Sequence, residues 1–284
     1  MSAVSVSSVT KSFSGDTVAL KSVSLDIQPG EMVALIGASG SGKSTLIRHI
    51  SGLLAADRGK SGGVIRVLGN DIQNNGKIAS DIARTRTLIG VVFQQFNLVP
   101  RLSVLTNVLT GLLGRAPRLR TTLGVFTYHE KQQAMLALRR VGIEARARKR
   151  AMTLSGGQQQ RAAIARTLVQ GAKVILADEP IASLDPASAK RVMSILSEVN
   201  RHDGITILVS LHQVEYARRY CTRTIAMRDG EIVFDGASQD LTNNFLREIY
   251  GEASEELVLP DADDFQPGLA SITAEPMQPK GVTK

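Results

Sequence analysis

Residues 37–45 read GASGSGKST and follow directly on the apolar run MVALI at residues 32–36. An uninterrupted apolar run of this length suits a strand buried on both faces. The residues that follow, STLIRHISGLL from Ser44, suit a helix. Glycine costs stability in an ordered element unless its backbone freedom is used, so a turn holding Gly37, Gly40 and Gly42 is best accounted for by a ligand. Gly37, Gly42, Lys43 and Ser44 match G-x-x-x-x-G-K-[ST]. A strand, such a loop and a helix start aim a row of backbone N–H groups at one point, which suits a triphosphate. Lys43 is then placed for the β- and γ-phosphates, and the Ser44 hydroxyl for Mg²⁺. A glycine-rich turn with a chance lysine is the ordinary alternative, and the strand before and helix after weigh against it.

The chain has 284 residues, 43% hydrophobic and 21% charged, enough for one large core or two modest ones. No window approaches the roughly 18–20 apolar residues of a membrane-spanning helix. The start MSAVSVSSVTKSF has neither a basic nor an apolar leader region, so a cytoplasmic location is expected. The single cysteine, Cys221, excludes an intramolecular disulfide and points to packing. The formal charge of +8 admits anionic partners. The basic runs, RARKR at 146–150 and the segment Arg115 to Arg120, have no interleaved aromatics; they read as solvated faces, or as surfaces towards lipid headgroups, and no nucleic-acid partner is expected. His49, His129 and His202 have no partner at metal-ligand spacing and read as surface or helix-face residues. Residues 252–284 are acidic and contain prolines, which predicts a flexible tail.

The runs VALKSVSLDI, EMVALIG, GGVIRVLG and TLIGVVFQ read as strands. From about Leu102 to Leu168 the spacing becomes helical, with Met135, Leu138 and Val141 near one face. Beyond it KVILADEP, ITILVSLH and RTIAMRDGEIVFDG alternate with helical stretches at Pro186–Asn200 and Gln213–Tyr220. Strands alternating with helices predict an α/β fold with a parallel core sheet, to which early antiparallel strands and a middle set of helices are attached.

Two further motifs bear on chemistry. The run Val174–Ala177 ends in Asp178 and Glu179. At the C-terminal end of a parallel strand these carboxylates emerge where ligands collect, which suits Asp178 to Mg²⁺ through water and Glu179 to the attacking water; a merely solvated acidic pair is the ordinary alternative. LSGGQQQR at Leu154–Arg161 is a second serine and glycine turn that opens a helix, hence a second anion-binding N-terminus, although one nucleotide needs only one.

LSGGQ resembles the signature of the ABC ATPase family, in which the second cradle serves the γ-phosphate held by another subunit. That resemblance spans about Val4 to Gly251 and implies a P-loop NTPase core, an antiparallel β subdomain and an α-helical signature subdomain at about 101–168 within one domain, 1–251. It implies that ATP is bound by Gly37, Ala38, Ser39, Gly40, Ser41, Gly42, Lys43, Ser44 and Thr45 of one copy and by Ser155, Gly156, Gly157 and Gln158 of another. Phe13 sits where an aromatic residue, more often tyrosine, stacks on adenine. Gln94 resembles the Q-loop glutamine, which contacts Mg²⁺ and faces the membrane partner; Ser183–Asp185 looks like the D-loop; His212 resembles the histidine that contacts the γ-phosphate. Gln213 follows it where many relatives carry an acid. The implied catalytic set is Glu179, His212 and Gln94, with Ser44, Gln94 and Asp178 towards the metal.

FQQFNLVPRLSVLTNVLTGLLG, the extended segment after Gly114, and DGITILVSLHQVEYARRYC closely resemble the ATP-binding subunit of bacterial phosphonate importers. This implies a peripheral subunit on the cytoplasmic face of the membrane. It also implies transmembrane permease subunits that meet the region after Gln94, and a solute-binding protein outside. Importers of phosphite, phosphate esters or polar amino acids, and soluble ABC ATPases, are the alternatives. The one uninterrupted nucleotide domain argues against the soluble group.

Overall fold

The computed structural model describes residues 1–13, 17–59, 63–117, 120 and 124–250. The tail expected at 252–284 lies outside the described residues, as does part of the basic segment 115–120. Two sheets organise the described chain. The first is antiparallel, in the order β2 (Thr17–Ile27), β1 (Val4–Phe13), β4 (Val64–Val67), β5 (Asn70–Asn74), β6 (Lys77–Ile78). The second runs β11 (Glu231–Ala237), β10 (Arg223–Arg228), β3 (Met32–Ile36), β9 (Thr206–Ser210), β8 (Val174–Ala177), β7 (Ile89–Val92). It is parallel from β10 to β7, with β11 antiparallel at its edge.

Every residue of β3, β8 and β9 is buried, as their apolar composition requires of strands covered on both faces. Side chains alternate between those faces. Val33, Leu35, Val174 and Leu176 meet helix α1 (Lys43–Ile50) and the antiparallel sheet. Ala34, Ile36, Ile175 and Ala177 face the other core. That second core is covered by α3 (Val104–Leu109), α4 (Tyr128–Arg140), α5 (Gly156–Gln170), α6 (Pro186–Asp203), α7 (Val214–Tyr220) and α8 (Asn243–Tyr250); a short α2 (Ile82–Arg86) precedes β7. Leu138 and Val141 are fully buried and Met135 packs at the core's edge, on the face expected from their spacing.

Two sequence expectations need correction. The first strand, Val4–Phe13, was not anticipated, yet it is an interior strand of the antiparallel sheet, between β2 and β4. His49 lies on a helix, as expected, but on its buried face: it is fully buried, because α1 is enclosed between the two sheets, and its Nδ1 lies 2.7 Å from the Thr45 carbonyl. His129 and His202 are exposed.

Candidate active site

Parallel pairing brings the C-terminal ends of four strands level. Leu35 pairs with Ser210, Val209 with Ala177, and Ala177 with Val92. The segments leaving these ends carry, in spatial order, the glycine-rich loop, His212, the acidic pair Asp178 and Glu179, and Gln94. Ligands collect at this edge of an open α/β sheet.

The glycine-rich loop is shaped by close approach. At Gly37, φ is +146° and a Cβ would stand 2.2 Å from the Met227 carbonyl oxygen; at Gly42, φ is +104° and a Cβ would stand 2.5 Å from the Ala19 oxygen. Any side chain at either position would force the loop off its neighbours. Gly42 also precedes the first turn of α1, whose N-terminus therefore opens on the loop. A cavity of about 160 Å³ lies here, lined by Ala19, Ser39 to Thr45 and Glu179.

Lys43 is 3% exposed, and its Nζ donates to the carbonyls of Gly37 at 2.7 Å and Ala38 at 2.9 Å. Burial lowers its pKa, opposed by the charges of Glu179 and Asp178. The Ser44 hydroxyl donates to Asp178 Oδ1 at 2.9 Å, and the Ser210 hydroxyl donates to the same oxygen at 3.0 Å. The Ser210 oxygen also accepts the Glu179 N–H at 2.8 Å, and the Asp178 N–H donates to the Val92 carbonyl at 2.8 Å. The acidic pair is thus tied to both neighbouring strands. Glu179 holds a left-handed backbone (φ +48°), a conformation that costs energy and needs support from its surroundings. Its Oε1 lies 2.5 Å from His212 Nε2. The hydrogen bond from His212 holds the Glu179 pKa down, against burial and with help from the charges of His212 and Lys43.

The oxygen donors gathered here, Ser44 and Asp178, are the hard ligands that Mg²⁺ prefers, and the loop of N–H groups with a buried lysine suits a polyphosphate. Gln94 is exposed, two residues beyond the Val92 that anchors Asp178. Phe13 ends β1, opposite Thr17; the residue is 45% exposed, with Lys11 Nζ 5.5 Å from the ring centroid, and it does not line the cavity.

The second turn is built separately. Ser155 caps α5: its hydroxyl accepts the Gln158 N–H at 3.4 Å while Gln158 Oε1 accepts the Ser155 N–H at 3.1 Å, a reciprocal capping box. A Cβ at Gly157 would stand 2.6 Å from Ser188 Oγ, so the turn presses on the start of α6. Asp185 caps α6 by accepting the Ser188 N–H at 2.9 Å. Among the described residues no hydrogen bond or ion pair joins residues 155–158 to residues 37–45.

The sequence reading did not single out Ser210, the hydroxyl between the two acids, or Tyr250, whose Oη accepts the Gly37 N–H at 3.2 Å. A serine closing the apolar run ILV at residues 207–209 was the one available sign of the first. Nothing local marks the second.

Comparison with known proteins places this geometry in company. A family described as ABC transporter matches residues 20–182. The phosphonates import ATP-binding protein PhnC 2 of Pseudomonas syringae pv. syringae is 59% identical over 249 residues, covering 88% of this chain and 89% of the relative. The protein of the same description from Cupriavidus necator is 54% identical over 275 residues, 97% of this chain and 96% of the relative. Among solved structures, the dimeric ATP-binding cassette MJ0796 in a post-hydrolysis state with ADP and Pi is 34% identical, with a TM-score of 0.72 over 84% of this chain and 100% of that one. The ADP conformation of the cassette MJ1267 gives a TM-score of 0.73 at 28% identity, over 88% of this chain and 97% of that one.

Proposed function

Since the chain belongs to the ABC transporter family, as an ATP-hydrolysing cassette, we propose that it is the energy-coupling subunit of a phosphonate importer. The observation that carries the reading is the separation within one chain of a complete phosphate site, around Lys43, Asp178, Glu179 and His212, from a second cradle at Ser155 to Gln158. Such an arrangement suits two copies that close head to tail, each lending its Ser155 turn to the other's nucleotide. The solute class rests on relatives named for phosphonates import at 54–59% identity, one of them matching 97% of the chain.

ATP lies with its phosphates along Gly37 to Thr45, Lys43 turning from its backbone carbonyls to the β- and γ-phosphates. Ser44, which donates to Asp178 here, would with Asp178 and Gln94 hold Mg²⁺, and the ion would supply charge neutralisation at the phosphates. Glu179 orients a water and takes its proton as the water oxygen bonds to the γ-phosphorus and the bond to the β-phosphate oxygen breaks, leaving ADP and phosphate. Its depressed pKa keeps this base ionised at neutral pH. His212 fixes the Glu179 carboxylate and reaches the γ-phosphate. Phe13 offers a ring to the adenine.

Among the described residues no helix is long and apolar enough to cross a membrane, so the reading requires separate permease subunits. Their docking surface is assigned to a cleft of about 310 Å³ lined by Ala83, Arg86 and Thr87 at α2, Thr110, Gly111 and Gly114 after α3, and Arg166 and Gln170 of α5. The protein then sits on the cytoplasmic face of the membrane, with a solute-binding protein outside. Uptake by a strain lacking the gene, with and without its return on a plasmid, tests the solute. Restored uptake of alkylphosphonates supports the reading; restored uptake of polar amino acids alone overturns the solute class.

A further inference from the structure

Two loops that must act together are joined by one phenol. Tyr250 ends α8 and is 7% exposed. Its Oη accepts the Gly37 N–H at 3.2 Å and lies 3.5 Å from the His212 carbonyl oxygen, to which it donates. Gly37 opens the phosphate loop after β3, and His212 follows β9, the strand hydrogen-bonded beside it. The phenol thus spans the gap between adjacent loops, one for the phosphates and one carrying the imidazole.

Both ends of the bridge are anchored. Gly37 sits against the Met227 carbonyl with no room for a Cβ. Helix α8 is held by fully buried Leu246, by Phe245, whose ring packs tilted at 55° against Phe234 with centroids 5.3 Å apart, and by Arg218 of α7, which donates to the Leu241 carbonyl and Asn243 Oδ1. Since α7 begins two residues after His212, the same contacts tie the helix that follows the histidine to the helix that carries the phenol. Burial pushes the Tyr250 pKa up to about 12, so its hydroxyl keeps its proton to donate at any working pH.

We propose that Tyr250 is a positioning residue for ATP hydrolysis: its hydroxyl fixes the backbone of His212 against the first residue of the phosphate loop, and so sets where the imidazole meets Glu179 and the γ-phosphate. The proposal rests on the role given to His212 above. Tyr250 acts through that histidine.

Tyr250→Phe keeps the ring and its packing and removes only the hydroxyl. ATP turnover, nucleotide affinity and melting temperature are measured on the full-length protein for wild type, Tyr250→Phe, His212→Ala and the double variant, with single-turnover assays for the slow ones. The expected result is a fall in kcat of about three- to tenfold, the scale of one lost hydrogen bond, with ATP affinity nearly unchanged. The hydroxyl's loss should have no further effect once His212 is gone. In protein labelled with ¹³C-histidine, the His212 resonance should move while those of exposed His129 and His202 stay. Wild-type kcat in Tyr250→Phe, an equal fall with and without His212, or an unmoved His212 resonance would each overturn the proposal. If His212→Ala itself turns over like wild type, the role of the histidine fails and this proposal with it. If only His212→Ala is impaired, the proposal alone fails.

Discussion

Glu179 combines three features that seldom coincide by chance: a left-handed backbone, a hydrogen bond from His212 that keeps it ionised, and a place on the rim of the phosphate cavity. Glu179→Gln keeps the shape and removes the base, so turnover should fall by roughly 10² to 10⁴. ATP should still bind, as the loop's N–H groups and Lys43 are untouched, and the variant should accumulate as an ATP-bound dimer, visible by size-exclusion chromatography with nucleotide. Turnover like wild type would remove Glu179 from the mechanism. Cys221 makes the opposite case, a reactive group silenced by its setting. It is 4% exposed, and burial pushes its thiol pKa up to about 12, so maleimide labelling in native buffer should be very slow and should quicken only with unfolding. At this scale the sequence was legible wherever chemistry dictates residue type at fixed spacing, as at Gly37, Lys43, Ser44 and the adjacent acids. It was silent where a residue acts through a contact made across the fold. Ser210 is 32 positions from Asp178, and Tyr250 is 213 positions from Gly37.

Helix α5 reaches back to the strand end that carries Gln94. Arg166 donates to the Asn97 carbonyl at 2.6 Å and, more weakly, to that of Phe96 at 3.5 Å. Phe96 and Asn97 both hold left-handed backbones, at φ +57° and +49°, so the segment after Gln94 is pinned in a form it would not keep unaided. The same α5 opens on the Ser155 turn. Arg166→Ala should therefore destabilise the protein by about 1–3 kcal/mol, read from urea midpoints, and should reduce transport more than basal ATP turnover, because the element joining the Ser155 turn to the cleft assigned to the permease is loosened. An unchanged ratio of transport to turnover would show that the link carries stability alone. The elements themselves were unequally legible. Continuous apolar runs marked β3, β8 and β9, and helical spacing marked α4 and α6. The first strand hid because VSVSSVTKSF is rich in serine and because its pairing with β2 shifts register after Val6, Val9 and Lys11; these irregularities break the alternation by which a half-buried strand is recognised.

At the scale of the whole molecule, the separation of the Ser155 turn from the phosphate loop makes a prediction about the assembled pair. Ser155 caps its helix and touches none of residues 37–45 by hydrogen bond among the described residues, so Ser155→Arg should leave ATP binding by the isolated chain nearly unchanged. Hydrolysis should still collapse, because one preorganised donor commonly carries roughly 10² to 10³ in rate and a bulky cation would also obstruct closure. Lys43→Ala should instead weaken nucleotide binding within its own chain, since it removes the buried charge beside the loop. Each homodimer then has two damaged sites. In a dimer forced to pair one Ser155→Arg chain with one Lys43→Ala chain, a site shared between chains puts both lesions at one nucleotide and leaves the other intact. Partial ATP turnover in that mixed dimer, with almost none in either homodimer, is the expected outcome, measured on tandem-linked or doubly tagged pairs. If the two cradles served one nucleotide within a single chain, both sites of the mixed dimer would be damaged and no activity would return. Ser155→Arg would then also weaken ATP binding by the isolated chain, which equilibrium dialysis would detect before any dimer was made.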